Sequence, residues 1–273
     1  MANDNEGGGP AGSAVYGRAG PPKVTLPQRG VVMGLRWSGV EGAGNHIVAA
    51  RIECEPERAR LVRLWRPFTD AAGRRDVHAR FAAWLAEESR WAEGRLVVGV
   101  DFALSLAETH LRQLGLLRQG IRGPATLGKH LEERFLGQGG DFTEGAMRFH
   151  GELGKDRGRL TDCYRGEAHP PSHARSFRQT FFGLCTLSRV TAAFPPWDPP
   201  QPGKPSIVEV RPAHVARALG GVCAYRDDDR DGVNRSSTRA GLLRVLRSAA
   251  KLEFEMEQAA QVVEDAAGHH LEA

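Results

Sequence analysis

Lysine is scarce in this chain: Lys23, Lys129, Lys155, Lys204 and Lys251 are its only lysines among 37 basic residues, and the rest are arginine. Two explanations stay open. Arginine binds phosphate through a planar, bidentate fork that lysine cannot match, whereas a GC-rich genome would raise arginine, alanine and glycine everywhere. Cysteine is also sparse. Cys54, Cys163, Cys185 and Cys223 form no C-x-x-C pair, which argues against a zinc ribbon or a disulfide framework and for a reducing cytoplasm. No apolar run approaches the roughly 20 residues of a membrane span, so no membrane partner is expected. The first residues carry Asp4 and Glu6 without a basic or apolar leader region, so no secretory signal is expected. The G-x-S-x-G elbow, the P-loop and a G-x-G-x-x-G turn after a strand are all missing.

What is present suffices for one good core. With 273 residues, 41% of them apolar, a single domain is expected. Residues 1–29 are Gly, Pro, Ala and Ser with few large apolar side chains, too little to offset ordering entropy, and read as a disordered tail. From Gly30 onward, Val31–Leu35, Asn45–Ile52 and Arg60–Trp65 read as three strands of an antiparallel meander. Val77, Phe81, Trp84, Leu85 and Ala92 recur at helical spacing. Leu96–Val100 is fully apolar, as a strand at the buried centre of a sheet should be. Residues 106–205 are rich in Gly, Arg and His, with helical pieces at Thr126–Phe135 and Phe177–Thr191, and read as an insertion over one edge of the sheet. Ile207–Val210 returns to strand, Pro212–Leu219 to helix, and Thr238–Ala250 and Glu253–Ala266 close the chain as helices. The order is that of an α/β, RNase H-like mixed sheet with flanking helices and a helical insertion.

Three apolar strands deliver a charge at or near their ends: Arg36, Asp101 and Glu209. Carboxylates presented this way commonly clamp pairs of hard cations in phosphoryl-transfer sites. Asp101 and Glu209 suit that role, and Arg36 has the wrong sign.

The motifs around these charges resemble a known family. Gly34-Leu35-Arg36-Trp37-Ser38-Gly39 is similar to a "G-(I/L)-D-W-S-G" opening, Gly99-Val100-Asp101-Phe102-Ala103-Leu104-Ser105-Leu106 to "G-(I/V)-D-x-P-(F/L)-S-L-P", and Val208-Glu209-Val210-Arg211-Pro212-Ala213 to "(I/V)-E-V-(Y/H)-P-A". The terminal Gly268-His269-His270-Leu271-Glu272-Ala273 resembles "G-D-A-L-D-A". These signatures belong to predicted RNase H-fold nucleases of uncharacterised bacterial proteins, the domain of unknown function 429 group. The resemblance implies Asp101, Glu209 and Glu272 as catalytic acids, with Asp101 and Glu209 holding Mg²⁺ or Mn²⁺ for phosphodiester hydrolysis. It also exposes a departure, because Arg36 stands where the family has aspartate. A guanidinium about 4 Å from a divalent ion is repelled by on the order of 8 kcal/mol at an effective dielectric near 20. A compromised metal site is therefore expected, in a weakly active or inactive hydrolase; the alternative is a non-catalytic nucleic-acid-binding or scaffold protein. A third reading, an actin-like phosphate-binding domain, ranks last because Asp101-Phe102-Ala103 lacks the D-x-G glycine.

Each singled-out residue also has a purely structural reading. Asp101 is either a metal ligand or the partner of Arg36 in an ion pair, and Glu209 is a ligand, the partner of Arg211 or a cap on the insertion. Ser38 either meets a phosphate or forms the turn before Gly39, and Trp37 belongs to the core. Glu272 sits in a terminal helix without a following turn, which should fray. Asp227–Gly232 begins like a calcium loop, but its twelfth position is Thr238, so a solvated acidic loop is expected. His269 and His270 are adjacent and cannot face one metal from one helical side. Candidate nucleic-acid contacts are Arg157, Arg159, Arg165, Arg175 and Arg178, interleaved with Tyr164, His169, His173 and Phe177. Arg36, Ser38 and Arg211 join Arg157, Arg165 and Arg178 as candidate substrate-binding residues.

Overall fold

A computed structural model describes residues 29–117, 121, 123–137, 139–154, 159, 162, 170–174, 176–219, 225, 226 and 234–273. Residues 1–28 of the expected tail, Arg157, Arg165, Arg175, Tyr164, His169, Cys163, Cys223 and the acidic stretch Asp227–Gly232 lie outside the described residues.

The described residues build a six-stranded mixed sheet flanked by helices. The strands are β1 (Gly30–Arg36), β2 (Val48–Cys54), β3 (Ala59–Trp65), β4 (Leu96–Val100), β5 (Ser206–Glu209) and β6 (Leu252–Glu253), in the spatial order β5-β4-β1-β2-β3-β6. β1, β2 and β3 form the antiparallel meander, β4 runs parallel to β1, and β5 runs parallel to β4. β6 lies parallel to β3 at the other edge. Successive side chains point to opposite faces of a strand, and β1 alternates accordingly: Val31, Met33 and Leu35 are buried, while Val32, Gly34 and Arg36 are only partly so.

The helices are α1 (Ala43–His46), α2 (Arg74–Trp91), α3 (Glu108–Gln113), α4 (Pro124–Leu131), α5 (Phe142–Leu153), α6 (Phe177–Leu187), α7 (Pro212–Ala218), α8 (Ser236–Ala249), α9 (Met256–Glu264) and α10 (His269–Glu272). A widened π turn, Glu132–Leu136, extends α4. Two expectations shift. The stretch 45–52 does not run as one strand: Ile47 N–H donates to the Ala43 carbonyl at 3.0 Å and closes a helical turn, so β2 starts at Val48. Leu252 and Glu253 pair with β3 before the following helix begins, and a capping box of Glu255 and Gln258 starts that helix at Met256.

The face of the sheet carrying Met33, Leu35, Val98 and Val100 packs against α2, α4, α5 and α6. Among the described residues, 37 form one buried apolar cluster there. Residues 106–205 contribute α3 to α6 to that cluster, so strands and helices share one core. Trp37 lies at its centre, its ring 5.1–5.5 Å from those of Phe81, Phe102 and Phe182. Gly39 is required where the turn after β1 meets α6, because a Cβ there would stand 2.5 Å from the Gln179 amide nitrogen. The opposite face, with Ala50, Ile52, Leu61 and Leu64, is covered by α7, α8 and α10. No described helix is long and apolar enough to cross a membrane.

Candidate functional site: two ion-pair centres at the strand ends

The carboxyl ends of the parallel strands β1, β4 and β5 lie side by side. Leu35 is level with Val100, and Val100 with Glu209. Arg36 and Asp101 therefore follow one step beyond Leu35 and Val100, on the alternate position to Glu209. That single step divides the charges into two centres.

The first centre holds Arg36, Asp101 and Glu272. Arg36 Nε donates to Glu272 Oε2 at 2.9 Å and lies 3.6 Å from Asp101 Oδ2. Asp101 Oδ1 accepts from the Trp37 backbone N–H at 2.6 Å and from Gln179 Nε2 at 3.0 Å. Burial raises the Asp101 carboxyl from its ordinary value, against the opposing pull of Arg36, the Trp37 amide and Gln179. Glu272 does not fray. Its side chain is fully buried, accepts from the Tyr225 hydroxyl at 3.1 Å and pairs with Arg226. The reason is packing: the terminal residues press on β1 where Gly34 has no side chain, and the Ala273 carbonyl takes the space a Cβ would need. Asp265 orients α10 from below, accepting the His270 N–H at 2.7 Å and lying 3.0 Å from its Nδ1. Burial would raise the Asp265 carboxyl, but those contacts hold it at about 2. Burial, with Arg36 beside it, lowers His269 to about 4.

The second centre holds Glu209, Arg159, Asp162 and Arg211. Arg159 donates to Glu209 twice, Nη1 to Oε2 at 2.8 Å and Nη2 to Oε1 at 2.7 Å, and reaches Asp162 Oδ1 at 2.7 Å. Arg211 Nε donates to Glu209 Oε1 at 3.1 Å, and its Nη2 to Asp162 Oδ1 at 2.6 Å. The Leu104 backbone N–H completes Glu209 at 2.9 Å. Burial would raise Glu209, yet Arg159, the Leu104 amide and Arg211 together hold the carboxyl below its usual value. Two guanidinium groups facing two carboxylates leave this centre neutral.

The predicted residues are thus distributed unevenly. Arg36, Asp101 and Glu272 meet. Glu209, expected to share metal with Asp101, is instead bound to different guanidinium groups. Among the described residues no three His, Cys, Asp or Glu side chains are grouped to hold a metal ion. Arg159, read as a nucleic-acid contact, is buried in an ion pair, because a guanidinium between two carboxylates has no phosphate left to seek. Arg178 is the described arginine of that group on the surface, over the Phe177 ring. Ser38 is buried, its hydroxyl 3.5 Å from the Val40 N–H. His269 and His270 diverge as expected, His269 towards His46 and His270 towards Asp265.

Sequence reasoning missed Asp162, Gln179, Tyr225 and Arg226. Only Asp162 left a signal, its three-residue spacing from Arg159. The others reach their partners across the fold. Comparison with protein-family models, with curated proteins and with solved structures finds no match to this chain.

Proposed function

We propose that this chain is an RNase H-like protein in which ion pairs replace the divalent-metal centre, and that it acts by binding, as a non-hydrolytic nucleic-acid-binding or scaffold protein. The observation that carries the reading is Arg36 Nε, 2.9 Å from Glu272 and 3.6 Å from Asp101. The antiparallel meander followed by two parallel strands supports the fold assignment, and the arginine-rich composition supports a nucleic-acid partner.

The donor set does not fit Mg²⁺ or Mn²⁺. A hard cation needs several carboxylate oxygens converging on one point. Here Asp101 and Glu272 are neutralised by a guanidinium, Glu209 is bound to two others, and a metal would have to displace them against like-charge repulsion.

Calorimetric titration of Mn²⁺ tests this directly. Wild type should show no binding, and its melting temperature should not respond to the ion. Arg36→Asp should lower stability through carboxylate repulsion and then gain a melting-temperature response to Mn²⁺ by mass action. Tight Mn²⁺ binding by wild type, with cleavage of generic single-stranded DNA or RNA, would overturn the proposal.

A further inference from the structure

The face of the sheet opposite the main core carries a cavity of about 220 Å³. Its floor is Ile52, Leu61 and Leu64, from β2 and β3, and its walls come from α7, α8 and α10. The wall supplied by α7 is informative. Pro212, Val215 and Ala216, with Leu219 just past the helix end, recur at positions i, i+3, i+4 and i+7, the spacing of one apolar helix face, and all four line the cavity. Yet no residue of α7 is buried, and Val215 remains 47% exposed. The helix presents an apolar stripe to the sheet and stands off it. The cavity opens to solvent on one side, so a stripe patterned for burial is left facing water, and an apolar occupant that covered it would gain the transfer of that surface out of water.

We infer that this cavity binds a small, uncharged, largely aliphatic molecule. Volume limits its size: an apolar cavity of about 150 Å³ holds benzene, so this one has room for roughly nine carbon atoms. A helix, about 10 Å across with its side chains, does not enter such a space. Charge limits its headgroup. Glu272 at the wall is bound to Arg36, Arg226 and the Tyr225 hydroxyl, and His270 is paired with Asp265. Among the described lining residues no unpaired side-chain charge awaits a carboxylate or an ammonium, and the remaining described lining is aliphatic. The cavity shares Glu272 with the first centre, but its test does not depend on Arg36.

The test is thermal denaturation of the full chain with 1-octanol, octanoate and glycerol. Octanol should raise the melting temperature of wild type by a few degrees through binding to the native state, octanoate less, and glycerol at the same concentration not at all. Ala216→Phe and Val245→Phe, each filling the cavity from a different helix, should fold and lose the octanol response. No response of wild type to octanol overturns the proposal. So does a full response retained in both variants, which would put the binding elsewhere, and so does an octanoate response larger than that of octanol.

Discussion

The two faces of the sheet are built from different materials. Ten of the eleven phenylalanines, with Trp37, lie in the cluster on the face that carries Met33 and Val98, and helix α6 has nine of its residues buried there. The other face is lined by Ala50, Cys54, Ala59, Leu61 and Leu252, the five described members of its buried cluster, around a cavity. Rings interlock edge to face and fill space in one arrangement; short aliphatic chains beneath a helix with no buried residue do not. The contrast assigns roles. The packed face sets the fold and holds the strand ends in register, and the open face is where something else can enter.

Truncation on each face tests this contrast most severely. Phe181→Ala, which removes a fully buried ring from the packed face, should cost about 4 kcal/mol. Leu61→Ala, at the edge of an existing void, should cost about 2 kcal/mol or less, at the low end for a large-to-small change. Urea melts of both variants measure the difference, and equal losses would abolish the contrast.

The ion-pair centres sharpen it further. Arg159→Ala leaves Glu209 and Asp162 to share Arg211, and breaking a buried pair in this way should cost about 3 kcal/mol. Arg36→Met should cost less, about 1–2 kcal/mol, because Glu272 keeps Arg226 and Tyr225 while Asp101 keeps the Trp37 amide and Gln179. A larger loss at Arg36 would reverse the ranking of the two centres.

The smallest expected effect is a pH dependence beside the first ion-pair centre. His269 is held neutral, with its pKa lowered to about 4 from an ordinary 6.5. The unfolded chain therefore takes up a proton between those values that the folded chain refuses, and stability falls as pH drops through that window. Wild type should lose more melting temperature between pH 7 and pH 4.5 than His269→Gln does. Identical pH profiles would show that His269 is not the group responsible.

The strands were the most legible part of the fold. Val31–Leu35, Arg60–Trp65 and Leu96–Val100 announce themselves through apolar content and period, and the structure extends them by at most one residue at each end. Helix α5 was less visible, although Asp141 caps it by accepting from the Thr143 and Glu144 amides at 2.6 and 3.0 Å; four residues of cap are a weak signal in a glycine-rich stretch. In the candidate site the sequence showed which residues carry charge at the strand ends, and that Arg36 carries the wrong one.

The amino-acid sequence by itself determined the strand periods, the apolar stripe of α7, the buried rings and the sign of every charge, because these depend on residue type and near neighbours. Only the tertiary structure decided which charges meet. Arg36 and Glu272 are 236 residues apart and come together because the end of the chain packs on Gly34. Asp101 and Glu209 stand on adjacent strands and part company because a strand turns successive side chains to opposite faces. A contact between distant residues is set by how whole elements stack, and that stacking also left a cavity between α7 and one face of the sheet.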